Sequence, residues 1–140
     1  MSQNEKTNLG PELKIEGSIE CVNGIEIYGE VLGSITCQHD VLIDGHVEGE
    51  ISGRNITIRN HYLNSNIHAT GNVAIEESTD YNGNIEAKNI IVNGVCIGNI
   101  QVEESISIGP NAWIQGNIDA SNMKVKEGAK INGIVNILKG

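Results

Sequence analysis

The phrase Ile43-Asp44-Gly45-His46-Val47-Glu48-Gly49-Glu50-Ile51 recurs. Sixteen residues earlier the chain reads Ile27-Tyr28-Gly29-Glu30-Val31-Leu32-Gly33-Ser34-Ile35, and much later Val92-Asn93-Gly94-Val95-Cys96-Ile97-Gly98-Asn99-Ile100. A recurring unit this short constrains the fold more than any other feature, because one copy cannot bury a core alone and has to stack on its neighbours. Aligned on the closing apolar residue, the copies end at Ile19, Ile35, Ile51, Ile67, Ile85, Ile100, Ile118 and Val135, spaced 15 to 18 residues apart.

Within each copy, apolar or small residues alternate with polar ones. Two residues before each closing position stands a Gly, replaced once by Ser65, and four residues before stands an uncharged residue such as Val31, Val47, Leu63 or Tyr81. Pairs such as Ile25 with Ile27, Val41 with Ile43 and Ile106 with Ile108 keep the same phase. Period-two alternation marks a strand with one buried face. Each copy is therefore a few very short strands joined by bends, and the copies stack in parallel at about 4.8 Å. The expected class is all-β, a β-solenoid of about six to seven coils at roughly 17 residues each. Residues 1–12 are polar, aperiodic and close on Gly10-Pro11, so they read as a disordered tail, with the solenoid domain spanning 13–140.

Composition agrees with a narrow aliphatic interior: there is no Phe, and 17 Gly supply the bends. A net charge of −9 argues against a nucleic-acid partner and against electrostatic attachment to an anionic membrane. Met1 to Gly10 lacks the apolar centre of a signal peptide, and no apolar run reaches spanning length, so the expected location is cytoplasmic. Cys21 and Cys37 share an inward column one coil apart; with Cys96 they read as small buried hydrophobes rather than a disulfide framework.

Chemistry finds little purchase. His39, His46, His61 and His68 invite a metal, yet no Cys or carboxylate pattern completes a tetrahedral set. His46 and His61 share a column counted from Ile43 and Ile58 and do not counted from Ile51 and Ile67. Neither catalytic residues, nor a cofactor site, nor a metal site is assigned. The least regular stretch is 54–70, where Ser65 replaces Gly. Two-residue additions in 76–80, 109–113 and 126–130 belong at outer bends, and Trp113 is out of phase, so it faces outward or lies against a bend. A solenoid end bares unpaired backbone and apolar columns unless something covers it. Neither end shows a capping helix, so end-to-end association is the physical expectation.

The Ile-x-Gly-x-Val-x-Gly-x-Ile phrases of Ile27 to Ile51, the phrase Val92 to Ile100, Gly116-Asn117-Ile118 and Glu127-Gly128-Ala129-Lys130-Ile131-Asn132-Gly133 resemble the bactofilin family of bacterial cytoskeletal proteins. The resemblance covers Leu13 to Leu138. It implies a right-handed, three-sided β-helix that polymerises through its ends into nucleotide-independent filaments, which organise cell shape or localise envelope-building enzymes, often at the inner face of the membrane. The Pro-rich flanks and hydrophobic N-terminal tail of such proteins are absent here, so membrane contact would run through partners such as envelope-synthesis proteins. The expected interfaces are Leu13, Ile15 and Ile19 at the N-terminal end and Ile131, Val135, Ile137 and Leu138 at the C-terminal end, Leu138 standing where the family places an aromatic. The alternative is a left-handed β-helix enzyme, a trimeric acyltransferase or gamma-class carbonic anhydrase. Those keep a strict six-residue register, whereas this chain varies between 15 and 18 residues per coil.

Overall fold

The computed structural model describes residues 7–59, 63–77 and 79–137. Among them the secondary structure is strand alone, twenty segments joined by parallel pairing. They wind in three stacked faces. The first face runs through Thr7–Leu9, Ile25–Ile27, Asp40–Ile43 and onward to Asn122–Val125. The second begins at Lys14–Glu16 and ends at Lys130–Asn132. The third begins at Ile19–Cys21 and ends at Val135–Ile137.

The sequence columns become physical ones. Ile19 pairs with Ile35, Ile35 with Ile51, Ile51 with Ile67, and so on to Ile118 with Val135. Coils of unequal length keep this register because most of the extra residues leave at one corner, between the first and second faces, and a single residue leaves between the third and first, where the register of Ile85–Val92 against Ile100–Ile108 shifts after Ala87. At the first of these corners Thr79, Ala112 and Ala129 donate their backbone N–H to Glu76, Gly109 and Lys126.

Each face holds eight rungs, not six or seven. The difference lies in residues assigned by sequence to the tail. Thr7–Leu9 pairs with Ile25–Ile27, and the Leu13 N–H donates to the Gly10 carbonyl, repeating the turn of the three enlarged corners. Pro11 at a turn position and one apolar residue in the strand concealed a complete first coil.

Inward Ile and Val side chains fill the bore, with Ile27, Val47, Ile51 and Ile75 fully buried. Trp113 points outward between Val95 and Lys130, as its phase required. At the corner between second and third faces a glycine adopts φ of +127° to +149° in seven of the coils. This geometry demands glycine twice over: a Cβ on Gly33 would stand 1.9 Å from the Gly17 carbonyl oxygen beneath it.

The fourth coil breaks that rule. Ser65 is buried inside a continuous strand, Leu63–Ala69, and no non-glycine residue among those described has positive φ. One rung above, the buried Tyr81 hydroxyl reaches the carbonyls of Ser65 and Asn84. From this coil onward an asparagine ladder climbs the corner. The side-chain oxygens of Asn66, Asn84, Asn99 and Asn117 accept the backbone N–H of Asn84, Asn99, Asn117 and Ile134, at 3.0 to 3.2 Å.

Candidate assembly surfaces at the two ends

A parallel sheet pairs each strand on both edges except at its first and last rung, where N–H and C=O groups face outward. Here all three faces end together, so each tip is a triangle of open strand edges around the bore. Among the described residues nothing crosses either tip.

At the N-terminal tip the expected residues converge. Ile15 and Ile19 point into the bore from the second and third faces, each partly exposed because no rung among the described residues lies beyond, and Leu13 occupies the corner, 44 % exposed. Leu9 and Cys21 complete the tip and were not anticipated. The sequence pattern alone puts Leu9 in the tail and Cys21 in the core. At the C-terminal tip Ile131 is partly buried, Val135 is 37 % exposed and Ile137 46 % exposed. Leu138 lies outside the described residues. Val125, at 48 %, Met123 and Ile134 belong to this tip as well. The pair Met123 and Val125 carried the signal, being the last copy of the first-face pattern.

The thiols are placed as hydrophobes. Cys21 and Cys37 are register partners and both free. Burial, then the neighbouring Cys37, raises the Cys21 pKa, and burial pushes Cys96 up to about 12, so neither is a thiolate at neutral pH.

The described histidines sit outside. His46 Nε2 lies 3.0 Å from Glu48 and His68 Nδ1 3.2 Å from Glu86, both at the surface. Glu30, His46 and Glu48 bring one imidazole and two carboxylates within 4.8 Å of one another, the imidazole being in contact with Glu48. His61 lies outside the described residues. The trough lined by His68, Glu86, Gln101 and Asp119 is an open depression on the third face. No helix among the described residues is long and apolar enough to cross a membrane.

Comparisons with curated proteins and with solved structures find no match. A family model described as Bactofilin, polymer-forming cytoskeletal, matches residues 7–61 and 60–136, beginning at the first strand of the first coil and ending within the last. A three-sided stack of eight parallel rungs with open tips, matched from first coil to last, makes this chain a member of the bactofilin family of polymer-forming cytoskeletal proteins.

Proposed function

We propose that the protein is a structural subunit that stacks end to end, without nucleotide, into cytoplasmic filaments that organise cell shape or hold envelope-building enzymes at the membrane's inner face. Leu13, Ile15 and Ile19, with Leu9 and Cys21, form one joining surface. Ile131, Val135, Ile137 and Leu138, with Met123 and Val125, form the other.

One observation carries the reading. Residues of a single column are fully buried inside the rod and open at its tip: Ala120 is 0 % exposed, and its register partner Ile137 is 46 % exposed. Covering such a tip with another subunit removes apolar surface from water and satisfies open backbone edges in one step. No catalytic step is assigned.

Purified protein is expected to sediment as long polymers at low micromolar concentration without nucleotide. Ile137→Glu or Leu138→Glu should yield small soluble species, because each places a charge in an apolar junction. A discrete monomer in dilution-series light scattering defeats the proposal, and a discrete trimer reinstates the acyltransferase or carbonic anhydrase alternative.

A further inference from the structure

The outward surfaces of the three faces differ in charge. The third face carries Glu20, Glu86 and Asp119 at its mid-strand positions, and the second carries Glu30 and Glu48. On the first face the mid-strand positions of five consecutive rungs are Leu42, Thr57, Ala74, Ile91 and Ser107, stacked in register and uncharged. Ile91 is 49 % exposed. The amides alongside are already engaged: Asn89 donates to Asn72 at 3.1 Å, and the Asn55 side chain accepts the Asn72 N–H. Covering them costs little new desolvation.

The stripe is bounded by opposite charges, Glu26 on the rung before Leu42 and Lys124 on the rung after Ser107. We infer that this face is the lateral contact with the same face of a second copy, the two rods lying antiparallel about a two-fold axis at Ala74. The inference rests on the end-stacking reading above.

The antiparallel arrangement follows from charge and size. Ala74 is midway between Glu26 and Lys124, three rungs from each, so reversing one rod brings Glu26 opposite Lys124 at both ends of the contact. Glu26 also accepts from the Tyr28 hydroxyl at 3.1 Å. Reversal sets Ile91 against Thr57 and Leu42 against Ser107, large against small, with Ala74 against itself. Parallel rods would instead oppose Glu26 to Glu26, Lys124 to Lys124 and Ile91 to Ile91. The corner residue Glu76 meets its own copy only at the rim, where water and salt screen it. A symmetric patch of this kind is self-complementary by construction.

Area sets the regime. Seven rungs about 4.8 Å apart and four residues wide offer about 450 Å² per copy, or about 900 Å² for the pair, below the roughly 1,200 Å² of stable complexes. One pair of subunits holds weakly; two filaments multiply the contact and stay together.

Variants with one introduced cysteine, beside the buried native Cys37 and Cys96 and with the unsubstituted protein as the control for Cys21, test this directly. Under mild oxidation Ala74→Cys should give a covalent dimer on a non-reducing gel, Ile91→Cys alone should give at least tenfold less, and Ile91→Cys mixed with Thr57→Cys should dimerise. In micrographs Ala74→Lys should leave single filaments where the wild type shows pairs. Absence of the Ala74→Cys dimer, or equal self-linking by Ile91→Cys, overturns the inference. Sedimentation of the wild type separates the two readings. Pelleting without the cross-link removes only the lateral contact, the cross-link without pelleting removes only end stacking, and loss of both removes both.

Discussion

Ile108 and Val125 are register partners one rung apart on the first face, yet Ile108 is 1 % exposed and Val125 48 %. Nothing in the side chains accounts for this. In a globular domain a core position is enclosed by the rest of the fold, whereas in a solenoid it is enclosed by the rung before and the rung after. The middle of the rod has both neighbours, and each tip has one. The same aliphatic pattern therefore produces core in one place and adhesive surface in another, and a tip differs from the middle only by a missing rung.

Substitutions paired across that difference test it. The largest contrast is expected between Ile118→Glu and Ile137→Glu. The first buries a carboxylate at a position with 0 % exposure and should abolish the folded state in circular dichroism. The second should fold and melt as a soluble subunit; if it unfolds too, the last rung is core and the contrast collapses. Next come the corner glycines. Gly98→Ala combines a φ of +140° with a Cβ 1.9 Å from the Gly83 carbonyl oxygen, whereas Gly17→Ala shares the unfavourable φ but meets no atom within 4 Å. We expect losses of about 4 and about 1 kcal/mol in denaturant titrations of the assembly-deficient Ile137→Glu protein. Equal losses would mean that the rung beneath Gly98 yields.

The buried thiol gives a pH contrast. Cys96 ionises near pH 9 in the unfolded chain and only near about 12 when folded, so the folded state holds the proton longer. Stability should be intact below pH 9 and fall by about 1.4 kcal/mol per pH unit towards 12. Burial raises Tyr81 as well, adding to the fall above pH 10. Cys96→Val should remove the thiol's share of the slope, and an unchanged slope would assign the loss elsewhere. The smallest effect belongs to the asparagine ladder. Asn99→Ala leaves the Asn117 N–H without its side-chain acceptor and should cost about 1 kcal/mol. Ser34→Ala, at the same corner of the second coil, should stay within about 0.5 kcal/mol.

The columns were legible because a period-two pattern repeated eight times leaves little freedom: Ile19 through Val135 register as their spacing required. The corner that absorbs most of the extra residues was legible for the same reason. The first rung was not, because Thr7 and Asn8 carry no apolar signal and their place is fixed by pairing with Ile25 and Glu26. The asparagine ladder was equally hidden. Asn66, Asn84, Asn99 and Asn117 read as generic polar spacers, and only the stacking of corners turns them into acceptors for the next rung. The tips were legible as apolar ends, but Val125 and Leu9 joined them only once all three faces were seen to stop together.

A chain of nearly interchangeable windings faces one hazard that irregular proteins avoid: it can close one winding out of step and still satisfy most of its pattern. Tyr81 guards against this. Its ring occupies a bore built for branched aliphatics, with Leu63 beneath it, the slender Cys96 above, and a hydroxyl that needs the carbonyl of Ser65 or Asn84. Shifted by a single winding, that ring would lose its small neighbour and the Ser65 carbonyl together, keeping only the Asn84 carbonyl of its own winding. The one misshapen thread keys the screw, so the rod has a unique way to wind even though almost every other turn would accept a substitute.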